Sequence, residues 1–163
     1  LDPACPSSRM SLAEQLGDVR AGVLRAASRD AVWQAAAGWL ACEQAGADAL
    51  HASLQAREQL GSTAIGHGIA IPHGRSSTLE APRGVLLRLE PAIDFDAADG
   101  EPVDLVFAMA VPDHYTHQHL MVLSELAERF SRPEFRDALR SAVDAKAMRA
   151  ILLDDTHLPK IAA

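Results

Sequence analysis

The amino-acid sequence predicts an α/β domain in which helices cover both faces of one sheet. Segments with apolar residues at helical spacing alternate along the 163 residues with short apolar runs. Two of these runs, residues 84–89 and 103–110, are apolar almost throughout, which is typical of strands covered on both faces. Only 4% of the residues are aromatic and alanine is abundant, so we expect a core of aliphatic side chains on closely packed helices.

The first half of the chain is predicted to form a strand and two helices after a short opening helix. Ser28 is a good N-cap, and Val32 and Trp39 follow it at helical spacing. Gly46 interrupts the pattern, and Gly61 is expected to end the next helix. The elements expected here are a short helix over residues 11–16, a strand over 19–27, and helices over 29–43 and 47–60.

The second half is predicted to supply three strands and then three helices. Residues 94–100 (DFDAADG) are typical of a turn-rich connection between two strands. The main elements therefore follow the order β-α-α-β-β-β-α-α-α. The strands expected here are residues 64–71, 84–89 and 103–110, and the expected helices are residues 116–130, 133–143 and 144–153.

Composition and charge argue against several classes of protein. Fifteen basic and 22 acidic residues give a formal charge of -7, and the basic residues form no stripe, so nucleic acid is not an expected partner. The chain contains no run of roughly 18 apolar residues, so no membrane insertion is expected. Cys5 and Cys42 form neither a metal-binding spacing nor a disulfide framework, which favours a reducing, cytoplasmic location.

The first residues are expected to lie outside the folded unit. Residues 1–9 (LDPACPSSR) are interpreted as a flexible leader or a remnant of cloning, and Met10 is a candidate native start. Residues 10–163 are long enough for one domain with a full core and too short for two.

Three polar residues stand where their surroundings predict apolar ones. His73 follows a short apolar run and lies between Pro72 and Gly74, which favours a histidine held open to a partner on stiff backbone. Arg57 shares an otherwise apolar helix face, either as a snorkelling side chain or as a guanidinium aimed at an anion. His119 lies on the apolar stripe of the helix over residues 116–130, either as a core histidine or at the border of a site.

Together these three residues can perform phosphoryl transfer. A neutral imidazole is able to attack phosphorus near neutral pH, and a guanidinium with a second histidine can stabilise the charge on the phosphoryl oxygens. Ser62, Thr63 and Gly74 are predicted to support phosphoryl binding, although capping and turn roles fit both hydroxyls equally well. No Walker-type P-loop is present, so a nucleotide donor is not indicated. No cofactor or metal is predicted.

These motifs resemble the signature of a known family. The stretches REQLGST (residues 57–63) and GIAIPHG (residues 68–74) are similar to the type-2 IIA domains of the bacterial phosphotransferase system, which include the fructose/mannitol IIA domains and the nitrogen-regulatory IIA protein. PAIDFD (residues 91–96) and PVDLVFA (residues 102–108) continue the similarity, which extends over roughly residues 11–153. The resemblance implies a three-layer α/β/α sandwich with a mixed central sheet.

The resemblance also implies a function and roles for individual residues. His73 matches the phosphorylated histidine of the family, His119 its second active-site histidine and Arg57 its phosphoryl-contacting arginine. The implied activity is a histidine phosphocarrier that accepts its phosphoryl group from a phospho-HPr-like protein, and the family favours Nε2 as the acceptor. His67 stands where nitrogen-regulatory members often have asparagine, and its role is left open.

Two subfamilies remain as alternatives at this point. The nitrogen-regulatory type, which the sequence resembles more, would bind regulatory target proteins according to its phosphorylation state. The sugar-specific type would pass the phosphoryl group to a IIB cysteine for uptake of a fructose- or mannitol-type sugar. Two rival interpretations are a zinc site among the seven histidines and an interaction module with a vestigial site. Against zinc, His117 and His119 point to different sides of their predicted helix.

Overall fold

The computed structural model describes residues 11–154, so the predicted leader at residues 1–9 lies outside the described part of the chain. The helices are α1 (Leu12–Gln15), α2 (Arg29–Leu40), α3 (Ala47–Gln59), α4 (His117–Phe130), α5 (Pro133–Ser141) and α6 (Ala145–Leu152). The strands are β1 (Asp18–Leu24), β2 (Ala64–Gly66), β3 (Ile69–Ala70), β4 (His73–Ser76), β5 (Arg83–Ile93) and β6 (Val103–Pro112).

All six strands belong to one mixed sheet that is organised around β6. On one side, β6 pairs with β5 in antiparallel orientation, and β5 pairs with β1 in parallel orientation. On its other side, β6 pairs in parallel first with β3 and then with β4, and β2 pairs with β3 at the sheet edge. The mixed sheet expected from the family resemblance is therefore confirmed.

The sheet separates two apolar clusters, one on each face. Side chains of β6 alternate between them: Val106 and Ala108 pack in the cluster with α2 and α3, whereas Phe107 and Met109 pack in the cluster with α4, α5 and α6. This alternation follows from the two-residue period of a strand, and it explains why β6 is apolar except for Asp104. Helices on both faces confirm the predicted three-layer architecture.

The structure corrects the predicted strand over residues 64–71. This segment forms a short hairpin, β2 and β3, because Gly66, His67 and Gly68 all have positive φ values and reverse the chain. Glycine adopts this conformation at little cost, so the two glycines that flank His67 were the available signal for a turn. The order of elements between α3 and α4 is therefore five strands, not three.

The position of His73 relative to the strands also differs from the prediction. Pro72 interrupts the ladder as expected, but the chain then re-enters the sheet, and His73 is the first residue of β4, opposite Met109 of β6. The carbonyl of Pro72 accepts from the Met109 amide, which holds the interruption against β6. His73 thus begins a strand and does not follow the end of one.

Local signals predicted the helix starts better than the helix ends. Ser28 caps α2 by accepting a hydrogen bond from the Ala31 amide, as its residue type predicts. Helix α2 stops at Leu40 instead of residue 43, because Cys42 and Ala45 form a bridge that turns the chain towards α3. Helix α5 ends two residues before the predicted position.

Replacing His67 with asparagine is expected to stabilise the protein by about 0.5–1 kcal/mol. His67 has a φ of 59°, a conformation that asparagine tolerates better than histidine. The turn is already held from both sides, since the His67 amide donates to Asp99 and the His67 carbonyl accepts from Arg140. Urea unfolding measures the gain. The matched control is His67→Ala, which keeps the strain and is expected to show no gain; equal stability of the two variants would contradict the prediction.

Candidate active site

An open cleft of 660 Å³ lies where α3, β4 and the beginning of α4 meet. It brings together the three polar residues that did not fit their predicted faces, Arg57, His73 and His119, although they come from three elements far apart in the chain. Gly74 and Arg75 line the cleft next to His73. The remaining lining residues are Ser53, Ala56 and Leu60 from α3, and Thr116, Leu120 and Leu123 from the start of α4.

The backbone before His73 determines which nitrogen of its ring is free. Nδ1 of His73 lies 2.9 Å from the carbonyl oxygen of Ile71, two residues earlier. A carbonyl only accepts hydrogen bonds, so this contact places the ring proton on Nδ1 and leaves a lone pair on Nε2. Consistently, Nε2 accepts a hydrogen bond from Nε of Arg57 at 3.1 Å. The unprotonated nitrogen of His73 therefore faces the Arg57 guanidinium in the cleft.

Arg57 is held at the end of α3 by its own helix. Its Nη1 donates to the carbonyl of Gly61 at 2.9 Å, just beyond the helix C-terminus, while Nε reaches His73. The neighbouring Glu58 is buried and accepts from the amide and hydroxyl of Thr63, which closes the turn after α3. Of the two interpretations of Arg57, the structure supports a guanidinium directed at the site.

His119 lies in the first turns of α4 with its ring packed against His73. The two ring centroids are 5.0 Å apart and the planes meet at 72°. The residue is only 6% exposed, and its Nδ1 is buried with no hydrogen-bond partner among the described residues. His117 is exposed, as the helical spacing predicts. His119 is thus a buried histidine of the site and not a satisfied core residue.

Both histidines of the cleft have lowered pKa values. Burial lowers the pKa of His73 most; the hydrogen bond to the Ile71 carbonyl opposes this effect, and the charge of Arg57 adds to it. Burial also lowers the pKa of His119, to about 4, with further contributions from His73, Arg75 and Arg57. Both rings are therefore neutral at pH 7, which is the state a nitrogen nucleophile requires.

The structure does not bring Ser62 and Thr63 into the cleft. The Ser62 hydroxyl donates to the carbonyl of Phe95 at 2.7 Å, and the Thr63 hydroxyl donates to Glu58 at 2.7 Å. Neither residue lines the cleft, so phosphoryl support from them stays a prediction that no contact here favours. His67 lies in the β2–β3 turn, beside Asp104 of β6. Asp104 comes five residues before Met109, the residue that pairs with His73, so about 16 Å of strand separates these two positions.

The sequence reasoning missed Arg75 as a member of this site. It follows His73 by two residues in β4, so both side chains are on the same face of the strand. That spacing was an available signal once the strand was known. The exposed apolar rim of Leu60 and Leu120, which are 84% and 65% exposed, had no signal of its own in the sequence.

Replacing Gly74 with alanine is expected to destabilise the protein by about 1–3 kcal/mol and to disturb the cleft. A Cβ on Gly74 would lie 2.7 Å from Oγ and 3.0 Å from Cβ of Ser53, so α3 would have to move away from β4. The displacement would separate Arg57 from His73. Thermal unfolding measures the loss of stability. The matched control is Gly38→Ala in α2, where no atom lies within 4 Å of the new Cβ and helix propensity predicts a small gain; equal effects would contradict the prediction.

The stability of the protein is expected to fall as the pH decreases from about 6.5 to about 4, with a contribution of about 3 kcal/mol from His119. The sign follows from proton binding: in this range the unfolded chain protonates His119, whereas the folded protein, with its pKa of about 4, does not. Above pH 6.5 both states are neutral and the contribution is constant. Urea unfolding of wild type and His119→Gln at several pH values measures it, since the other titrating groups are shared. Parallel curves would contradict the prediction.

One further finding bears on the zinc interpretation, and a second bears on membrane insertion. Among residues 11–154, no three His, Cys, Asp or Glu side chains come together in a group that could hold a metal ion. No helix in this part of the chain is long and apolar enough to span a bilayer.

The fold and the cleft together define a IIA-type component of a phosphotransferase system. The model of the family described as "Phosphoenolpyruvate-dependent sugar phosphotransferase system, EIIA 2" matches residues 19–155, and the chain belongs to this family. Within it, the relatives include nitrogen regulatory proteins. The chain is 46% identical over 108 residues to the nitrogen regulatory protein of Pseudomonas aeruginosa, an alignment that covers 66% of this chain and 70% of that protein.

A solved structure and a sugar-specific relative extend the comparison. The crystal structure of nitrogen regulatory protein IIA-Ntr from Neisseria meningitidis superposes with a TM-score of 0.77 at 38% identity, covering 83% of this chain and 92% of that one. The fructose-specific EIIA component of Haloferax volcanii is 32% identical over 107 residues, 66% of this chain and 70% of that protein. The identities to the two nitrogen regulatory proteins are higher than the identity to the fructose-specific component, which favours the nitrogen-regulatory type.

Proposed function

We propose that this protein is a histidine phosphocarrier that accepts a phosphoryl group on Nε2 of His73 from a phospho-HPr-like protein. The observation that carries the proposal is the contact between Nδ1 of His73 and the Ile71 carbonyl at 2.9 Å. It holds the ring in one neutral tautomer with the Nε2 lone pair directed into an open cleft. Family membership supplies the reaction class, transfer within a phosphoenolpyruvate-dependent system.

The transfer exchanges one nitrogen–phosphorus bond for another. The Nε2 lone pair of His73 attacks the phosphorus, and the bond from phosphorus to the donor's imidazole breaks with its electron pair returning to that ring. The His73 ring becomes more positive and stays hydrogen-bonded through Nδ1–H to the Ile71 carbonyl, which stabilises it. No oxidant, reductant or metal is needed for the balance.

Arg57 has a different role before and after the attack. Its Nε occupies the Nε2 lone pair in the structure described here, so it has to release that nitrogen as the phosphorus approaches. Because its Nη1 is anchored to the Gly61 carbonyl, the guanidinium stays at the cleft and can bind the phosphoryl oxygens. His119, neutral and buried, packs against the His73 ring and limits the space around it.

The rim of the cleft suits a protein donor. Leu60, just after α3, and Leu120, in α4, are large, exposed apolar side chains that line the opening, and Leu123 lines it as well. Such a rim can exclude water when a partner docks. We place the reaction in the cytoplasm, because the two cysteines of the sequence form no disulfide framework, which favours a reducing compartment.

The proposed outcome of phosphorylation is regulatory. A phosphoryl group adds close to two negative charges to a cleft that Arg57 and Arg75 line, and this change of charge would change which target proteins bind there. The second candidate is onward transfer to a IIB cysteine, favoured by the similarity to a fructose-specific EIIA component. Both candidates share the first step.

The first step is tested by reconstitution. The protein is incubated with phosphoenolpyruvate and the cognate general phosphocarrier proteins, and then analysed by mass spectrometry after peptide digestion at alkaline pH. We expect one phosphoryl group, lost in acid, on the peptide that contains His73. A protein that stays unmodified, or a modification on another peptide, would refute the proposal. Transfer to a purified IIB domain then separates the two candidates.

A further inference from the structure

Arg75 lies in β4 and links this strand to α3 and to the connection that leads into α4. It follows His73 by two residues, and its own amide donates to Oγ of Ser53 in α3 at 2.9 Å. Its side chain extends in the other direction, where Nη1 donates to the carbonyls of Asp113 at 2.9 Å and Tyr115 at 3.3 Å. These carbonyls belong to the connection between β6 and α4, so the side chain adds to the bond by which the Asp113 amide already joins this connection to the Ser76 carbonyl of β4.

The connection that Arg75 holds has backbone bonds at its start, where the amides of Asp113 and Tyr115 donate to the carbonyls of Ser76 and Pro112, but its entry into α4 is uncapped. Thr116 precedes α4 without making a side-chain cap, and the first turn of α4 contains no acidic residue. His119 is the third residue of that helix. The position of its ring against His73 therefore depends on how the chain enters α4, and the Arg75 guanidinium is a side chain that ties this entry to β4.

The guanidinium also contributes positive charge to the cleft. Arg75 lines it together with His73 and His119. Within the described residues, its Nε and Nη2 form no hydrogen bond, so these donors are available to an anion. The charge of Arg75 is one of the causes that lower the pKa of both histidines, which agrees with its position close to both rings.

We propose that Arg75 is a positioning residue for phosphoryl transfer to His73: it ties the β6–α4 connection to β4, so that His119 packs against His73, and it adds a second positive charge to that of Arg57. The inference rests on the proposed function, since it assigns a role within the same reaction. It predicts that removing the charge of Arg75 slows the transfer without weakening donor docking, which involves the apolar rim.

Two variants separate the charge from the rest of the side chain. Arg75→Gln removes the charge and keeps a polar donor, whereas Arg75→Lys keeps the charge. We expect Arg75→Gln to lower kcat for transfer from the phosphorylated donor by about tenfold to a hundredfold with KM little changed, and Arg75→Lys to restore most of it. The matched control is Arg136→Gln in α5, whose guanidinium also donates to a carbonyl, that of Phe130, outside the cleft. It should transfer at the wild-type rate.

A second readout needs no phosphoryl transfer. NMR titration of the His73 and His119 rings reports the charges that face them, namely Arg57 and Glu58 from α3, Arg75 from β4, and each other. Arg75→Gln should raise the pKa of both rings, and Arg75→Lys should leave them near their wild-type values. If Arg75→Gln does not fold, Arg75→Met removes the charge while keeping an unbranched apolar side chain, and the same titration then tests the charge.

The outcomes separate this inference from the proposed function. Wild-type kcat and unchanged ring titration in Arg75→Gln would overturn the role of Arg75 while leaving phosphorylation of His73 in place. A loss of kcat that Arg75→Lys does not rescue, with unshifted histidines, would also overturn it, because the effect would then be structural only. A wild-type protein that accepts no phosphoryl group would refute the proposed function, whereas the titration would still test the contact between Arg75 and the histidines.

Discussion

Replacement of His73 by alanine is expected to abolish phosphoryl acceptance and to leave the fold intact. The side chain makes only two hydrogen bonds, to Arg57 and to the Ile71 carbonyl, whereas the pairing of β4 with β6 depends on the backbone. Removing the ring takes away the nucleophile, and the other imidazole of the cleft, His119, is only 6% exposed and so is poorly placed to substitute. The measurement is incorporation of radiolabelled phosphoryl groups from phosphoenolpyruvate, alongside circular dichroism.

The control for this experiment is another histidine of the same region. His117 is exposed on α4, two residues before His119, so His117→Ala should accept phosphoryl groups at the wild-type rate. Label that persists in His73→Ala would show that the acceptor lies elsewhere and would refute the assignment. Loss of label in both variants would point to a general defect of the region and not to the nucleophile.

Replacement of Arg57 by alanine is expected to slow phosphoryl transfer by a factor of about 10²–10³. The guanidinium is the cation next to Nε2 of His73, and a charge that stabilises the transferring oxygens acts strongly in a partly desolvated cleft. Stability should change little, by about 1–2 kcal/mol, because only the hydrogen bonds to His73 and to the Gly61 carbonyl are lost. The measurement is kcat/KM for transfer from the phosphorylated donor at a fixed salt concentration.

A surface arginine provides the matched control for Arg57. Arg20 lies on β1, half-exposed and paired with Asp18, away from the cleft. Arg20→Ala should therefore transfer at the wild-type rate. An Arg57→Ala protein that fails to fold would favour the structural interpretation of this side chain, and one that folds and transfers normally would exclude Arg57 from the reaction.

The architecture could be predicted from the sequence because its signals are local. Apolar runs predicted β5 and β6, the cap at Ser28 predicted the beginning of α2, and helical spacing predicted that of α4. The hairpin of β2 and β3 was missed because residues 64–71 are mostly apolar and so suggest a single strand. The positive φ values around His67, which reverse the chain, are not visible in such a pattern. The re-entry of the chain at His73 was missed for a related reason: strand pairing depends on β6, more than 30 residues away.

The residues of the candidate site also fall into two groups, those that local sequence signals predicted and those that they did not. Arg57, His73 and His119 were found because each is a polar residue that conflicts with its local surroundings, and the family resemblance then related them to one reaction. Arg75 and Leu60 gave no such conflict, since a charged strand residue and an exposed leucine are both common. Their importance arises only from the elements they adjoin in the folded protein.

By itself, therefore, the sequence determined where the helices and the long strands β5 and β6 lie, which faces are apolar, and which three polar side chains are out of place. Only the tertiary structure decided that the segment from residue 64 to residue 76 forms three short strands, that these side chains meet in one cleft, that Ser62 and Thr63 do not join them, and that Nε2 is the unprotonated nitrogen of His73. The physical reason is range: periodicity and capping act within a few residues, whereas distances between α3, β4 and α4 depend on sheet register and helix packing across the whole chain. The tautomer of His73 in turn depends on the backbone path at Ile71, which β6 holds in place.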